Sequence, residues 1–144
     1  MPKVGPLYLA TQDNYHGRAH WCRQIPMEIN KSFTFEAAHH LPNVPLDHKC
    51  RRLHGHSFHV TVHVEGPIGA DTGWVMDFAD LKSACRPIHD QLDHRYLNEI
   101  DGLENPTSEH IARWIWQRLK PVVAGLSGVA VRETCSSGCL YRGD

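Results

Sequence analysis

The stretch LHGHSFHVTVHVEG, residues 53–66, alternates along its whole length. His54, His56, Phe58, Val60, Val62 and Val64 fall on one side, and Ser57, His59, Thr61, His63 and Glu65 on the other. A period of two predicts a strand with one buried face and one wet face. Two histidines head the apolar stripe, where a polar ring needs a partner. Upstream, SFTFEAAHH (residues 32–40) repeats the pattern, with Phe33, Phe35, Ala37 and His39 on one face and Ser32, Thr34, Glu36 and His40 opposite.

Working outward, GPIGADTG supplies turn residues, and WVMDF (residues 74–78) reads as a short return strand. Asp77 is a candidate N-cap, because Phe78, Leu81, Cys85, Ile88 and Leu92 then recur at helical spacing. Pro87 sits inside that run and is a candidate to end or kink the helix. A second helix is expected from Asn105-Pro106, with proline in the first turn, through Ile111, Trp114, Ile115 and Leu119. GVAVRET and CSSGCLYRGD each supply a closing strand. The order strand, strand, helix, helix, strand, strand predicts an α+β fold with a mostly antiparallel sheet.

At 144 residues, with 41% hydrophobic and 22% charged residues, the chain suits one globular domain. Residues 1–30 show no sustained period and are read as a weakly ordered N-terminal extension, with residues 31–144 the domain and Met27 an alternative translation start. A net charge of -1 argues against nucleic acid or a polybasic membrane contact. No run approaches the ~18 apolar residues of a membrane helix. Five cysteines, an odd number without tight disulfide spacing and without an apolar signal segment, point to a reducing, cytoplasmic setting. The compositional outlier is histidine, with twelve copies.

Residues two apart on a strand point the same way, so His54 and His56 can reach one ion. Parity selects His39 over His40 as the third ligand. Three neutral imidazoles leave one tetrahedral position open, the catalytic pattern for zinc. The alternative is three separately hydrogen-bonded core histidines. Cys50, among Lys49, Arg51 and Arg52, is either a fourth ligand or an acid-base thiol. Asp93-His94 is either a carboxylate-oriented imidazole or a surface pair. Glu133 ends the inward stripe of Val129 and Val131, and would meet either an arginine or a ligand with two adjacent N–H donors. His59 and His63 face water or a neighbouring subunit, and Cys135 and Cys139 are read as ordinary thiols.

Six ordered motifs, FTFEAAHHL, CRRLHGHSF, GWVMDFADLK, LDHRYLN, NPTSEHIARWIW and VRETCSSGCLYRG, closely resemble those of the 6-carboxytetrahydropterin synthases of the queuosine pathway. These form the bacterial branch of the 6-pyruvoyltetrahydropterin synthase family. The similarity runs from about Ser32 to the C-terminus. One departure is His40, where arginine is common in the family. The resemblance implies the tunnelling fold: a four-stranded antiparallel sheet with two helices on one face, trimers closing a twelve-stranded barrel, and a homohexamer of two trimers. It implies zinc ligation by His39, His54 and His56, with Cys50 as the catalytic cysteine. Asp93 and His94 match a dyad supplied by another subunit. Glu133 matches the pterin anchor, with Thr107, Ser108 and Glu109 as further substrate contacts.

The short spacing from Cys50 to the HGH resembles the queuosine branch more than the animal pyruvoyl synthases. The presence of Cys50 sets the chain apart from a side branch with glutamate there and aldolase-like roles. The activity so implied is a zinc-dependent lyase converting 7,8-dihydroneopterin triphosphate to 6-carboxy-5,6,7,8-tetrahydropterin with release of acetaldehyde and triphosphate. The triphosphate would be met by Lys49, Arg51, Arg52 or Arg142. Two alternatives stand beside it: 6-pyruvoyltetrahydropterin synthesis on the same residues, and a non-catalytic zinc-stabilised oligomeric module in which Cys50 closes the site.

Overall fold

The computed structural model describes residues 26–144, so most of the expected N-terminal extension lies outside the described residues. The alternation in the two histidine-bearing segments produces the central hairpin. Strand β1 (Met27–His39) and strand β2 (His54–Gly66) pair antiparallel in unbroken register, from Met27 opposite Gly66 to His39 opposite His54. Phe35 and Phe58 are directly paired and stack at 4.9 Å between ring centroids. Such cross-strand aromatic pairs pin a register. β1 begins four residues before Lys31, so Met27–Asn30 belongs to the sheet: those residues find partners in His63–Gly66 of the long β2.

Helix α1 (Phe78–Leu92) starts where Asp77 accepts a hydrogen bond from the Ala79 amide at 2.7 Å. It buries Leu81, Cys85, Ile88 and Leu92 against the sheet. Burial of each leucine is worth about 2 kcal/mol. The helix runs through Pro87, which lies on the exposed side, where the Ser83 carbonyl it leaves without a helical donor can be hydrated. The expected return strand at WVMDF does not form; residues 74–76 are a bend ahead of the cap. A strand missed by the sequence pattern, β3 (Arg95–Tyr96), lies parallel to Ala37–Ala38. Two residues are too few to show a period.

Helix α2 (Ser108–Leu119) begins two residues beyond Pro106, because Thr107 is its cap and accepts from the His110 amide at 3.3 Å. Strands β4 (Leu126–Arg132) and β5 (Gly138–Tyr141) complete the order β3-β1-β2-β4-β5. The result is α+β: four antiparallel strands, a two-residue parallel addition, and two helices over one face. Phe58, Val60, Val62 and Val64 meet Leu81, Ile111 and Ile115 in one core. The sheet is open within the protomer, with β1 flanked by β3 only at Ala37–Ala38. No helix among the described residues is long and apolar enough to cross a membrane.

Candidate metal centre and its surroundings

His39, His54 and His56 converge at the end of the hairpin, each offering a ring nitrogen within 4.8 Å of the others. His39 and His54 are directly opposite in register, and His56 follows on the same face. Gly55 between them crosses close to β1: a Cβ there would stand 3.1 Å from the Ala37 carbonyl oxygen.

Backbone carbonyls set the tautomers. His39 donates from Nδ1 to the Pro106 carbonyl at 2.9 Å, and His54 donates from Nδ1 to the Arg52 carbonyl at 2.7 Å. A carbonyl only accepts, so both neutral rings present a bare Nε2 lone pair to the common centre. His39 Nε2 is buried with no hydrogen-bond partner, and its residue is only 1% exposed. Burial pushes the His39 imidazole below its ordinary range, outweighing the Pro106 hydrogen bond. A buried, unpartnered lone pair aimed at two further imidazoles fits a divalent cation and disfavours three separately satisfied core histidines.

His40 turns away. Its backbone is clamped by Asn98, which accepts from the His40 amide at 3.0 Å and donates to the His40 carbonyl at 2.9 Å. Its ring stacks on Tyr96 and hydrogen-bonds the phenol. Asn98 also donates to the Glu104 carbonyl at 3.2 Å, tying the end of β1 to the loop that carries Pro106.

Cys50 lies in a short 3-10 turn, Lys49–Arg51, capped by His48, whose Nδ1 accepts from the Cys50 amide at 3.1 Å. The thiol is half-buried and outside the histidine group, which leaves the closed four-ligand arrangement without support in this protomer. Arg51 is committed to the loop, donating to the Pro42 and Val44 carbonyls at 2.8 and 3.0 Å. Arg142 lies 3.6 Å from Glu28, near the start of β1. Lys49 and Arg52 are exposed beside Cys50 and hold no carboxylate partner among the described residues.

Asp93 and His94 sit on the edge of β1. Asp93 Oδ1 accepts from the Glu36 amide at 2.9 Å, and Oδ2 accepts from His94 Nδ1 at 2.8 Å. The His94 amide returns a bond to the Glu36 carbonyl at 2.6 Å. These contacts hold His94 at φ 56°, in the left-handed region that non-glycine residues occupy sparingly. The Glu36 amide, and then His94, hold the Asp93 carboxyl below the usual carboxylate range. The ring is largely exposed and, among the described residues, has no hydrogen bond to Cys50. The dyad is built and oriented, with its free nitrogen outward.

Glu133 follows the last residue of β4 and is half-buried. It forms no salt bridge among the described residues. Its charge acts on His39 and, with that of Glu109, on Cys139, whose thiol is raised first by burial and further by both carboxylates. The start of α2, the end of β4 and the histidine group thus share one end of the inner face. Thr107 is spent on capping, and Ser108 and Glu109 open the helix. The sequence did not disclose the roles of the Glu36 backbone or of the Pro106 and Arg52 carbonyls, because main-chain groups carry no side-chain signature, nor that of Asn98, whose partners are main-chain groups brought near only by the fold.

Residues 28–144 match the model of the family described as 6-pyruvoyl tetrahydropterin synthase. The chain is 50% identical over 119 residues to the 6-carboxy-5,6,7,8-tetrahydropterin synthase of Synechocystis, covering 78% of this chain and 91% of that protein. It is 42% identical over 92 residues to the dihydroneopterin monophosphate aldolase of Pyrococcus furiosus, covering 64% of this chain and 74% of the relative. The solved 6-pyruvoyl tetrahydropterin synthase of Caenorhabditis elegans superposes with a TM-score of 0.77 at 27% identity, covering 83% of this chain and 96% of that one.

Proposed function

This chain belongs to the 6-pyruvoyl tetrahydropterin synthase family of pterin lyases, and we propose that its reaction is the conversion of 7,8-dihydroneopterin triphosphate and water to 6-carboxy-5,6,7,8-tetrahydropterin, acetaldehyde and triphosphate. The single observation that carries the reading is the trio of imidazoles whose ring nitrogens converge within 4.8 Å of one another, in a chain 50% identical over 119 residues to the Synechocystis synthase. The pathway served would be queuosine biosynthesis, in the cytoplasm. The metal would be zinc, held by His39, His54 and His56 with one position open. When bound, zinc supplies Lewis acidity to oxygens of the substrate side chain.

The protein's own groups divide the remaining work. Glu133 accepts two N–H bonds from the pterin's amino-pyrimidine edge and thereby fixes the ring relative to the histidines. Thr107, Ser108 and Glu109 line the same end. Cys50, as thiolate, takes a proton from the side chain, and Lys49 and Arg52 beside it meet the triphosphate. His94, held by Asp93, moves a proton on the opposite side. Its outward aim and lack of contact with Cys50 within the protomer favour a site completed between subunits of a hexamer.

Product analysis tests this reading. The zinc-loaded protein, given 7,8-dihydroneopterin triphosphate, should release acetaldehyde and a pterin retaining one side-chain carbon as carboxylate. A pterin retaining all three side-chain carbons would assign the 6-pyruvoyl reaction instead. An aldol cleavage product would assign the activity for which the Pyrococcus relative is named.

A further inference from the structure

Strand β3 pairs with Ala37 and Ala38 and then curls into a 3-10 turn, Leu97–Glu99, so the ladder beside β1 stops at Tyr96. Asn98 takes over from it with a side chain. Its carboxamide accepts from the His40 amide at 3.0 Å and donates to the His40 carbonyl at 2.9 Å. That is the exchange of two bonds a hydrogen-bonded residue pair makes in an antiparallel ladder. A carboxamide nitrogen has two donors, and this one also reaches the Glu104 carbonyl at 3.2 Å. All three bonds lie within one chain, so the clamp does not depend on an open surface.

The two segments so joined are the ones that His39 needs held. His40 adjoins His39, and Glu104 comes two residues before Pro106, whose carbonyl accepts from His39 Nδ1 at 2.9 Å. The loop is braced on its own side as well. The Glu104 carboxylate accepts from the Gly102 amide at 2.9 Å, and the Asn105 carbonyl accepts from the Thr107 amide at 2.9 Å and from His110 Nδ1 at 2.7 Å. Among the described residues, two side chains hydrogen-bond the end of β1 to this loop: His39 directly, and Asn98 by bridging. Metal–ligand distances tolerate only about 0.2 Å, so a histidine whose strand end can drift from its carbonyl acceptor is a poorer ligand.

We infer that Asn98 is a positioning residue for the metal centre: it sets the separation between the His39 main chain and the Pro106 carbonyl, and so keeps His39 Nε2 aimed at His54 and His56. The inference rests on the proposed metal site and not on which pterin reaction follows. Groups that orient a ligating histidine are commonly worth 10–100-fold in metal affinity, and Asn98 acts through one such bond, so a factor of about 10 is expected. Linkage makes the effect reciprocal: the factor by which the clamp tightens the metal is the factor by which the metal tightens the clamp. Tyr96, which meets only the outward ring of His40, has no such part.

Zinc affinity of the full chain, measured by competition with a chromophoric chelator, tests it. Asn98→Ala should weaken zinc binding by a factor of about 10, whereas Tyr96→Phe, which leaves the His40 main chain clamped, should bind zinc as the unaltered chain does. Loaded with cobalt(II), Asn98→Ala should also show weaker visible absorption bands, as when a ring nitrogen leaves a tetrahedral set. A merely structural Asn98 would lower the melting temperature and leave affinity and spectrum unchanged in the folded variant; that result would overturn the inference. Should Asn98→Ala not fold, hydrogen exchange in the unaltered chain decides. Zinc should slow exchange of the His40 amide more than that of the Glu65 amide, which bonds the Gly125 carbonyl at the far end of the hairpin. Equal slowing at both amides would overturn the inference. An unaltered chain that takes up no zinc would remove the metal centre itself, and the inference with it.

Discussion

His39 reaches across the fold to Pro106, donating from Nδ1 to its carbonyl at 2.9 Å and so fixing which nitrogen faces His54 and His56. One hydrogen bond thereby joins β1, the loop before α2 and the candidate metal centre. Removing this imidazole takes away one of the three converging ring nitrogens; removing the outward-facing His40 takes away none.

Replacement of His39, His54 or His56 by alanine should abolish stoichiometric zinc, measured by inductively coupled plasma mass spectrometry, and turnover with it. His40→Ala should keep its zinc, losing only the Tyr96 contact. Zinc lost from His40→Ala and kept by His39→Ala would exclude this ligand set.

Cys50→Ala should retain a full complement of zinc and bind the pterin, while kcat falls by ~10²–10⁴, the usual worth of a positioned acid or base. Loss of zinc would instead make Cys50 a ligand. Mixing inactive Cys50→Ala and His94→Ala protomers should restore part of the activity once mass spectrometry shows subunit exchange. Exchanged assemblies without activity would place both groups in one chain.

Glu133→Gln replaces a carboxylate that can accept two N–H bonds with an amide offering one acceptor. Loss of a charged hydrogen bond of ~1.5–3 kcal/mol should raise KM by roughly tenfold or more. An unchanged KM with normal turnover would remove Glu133 from the pterin site.

Asp93 carries a pH signature. The Glu36 amide and His94 lower its folded-state pKa. A lowered carboxyl contributes stability that is present above its unfolded pKa of ~3.9 and is lost as pH falls through the folded value. Asp93→Asn should therefore flatten the acid limb of stability below about pH 4, measured by chemical denaturation. It should also lower kcat, because the amide nitrogen cannot accept from His94 Nδ1. A variant with an unaltered acid limb would show that the Glu36 and His94 contacts are not kept in solution.

The hairpin and its histidines were legible because parity is a local property. Alternation distinguished His39 from His40, and Phe35 and Phe58 at one paired position hold that register. What stayed hidden was tertiary. Arg95 and Tyr96 become a strand only because β1 is there to receive them, and WVMDF remains a bend because it leads into the Asp77 cap. Pro87 was a plausible helix end by composition, yet its exposed position removes the need to stop. Glu36 acts through its own amide and carbonyl, and Asn98 through a side-chain amide that binds the main chain of His40 and Glu104; residue type says nothing about which carbonyl or amide a fold will bring near.

From Met27 to Glu36, β1 has β2 on one side and no strand partner on the other among the described residues. An edge of that length is a template for a further strand. Where protomers mate along it, dilution becomes a denaturant: dissociated chains present bare amides and carbonyls, and the melting temperature falls with protein concentration by mass action. The sites of this protein would then be maintained by its abundance as well as by its sequence.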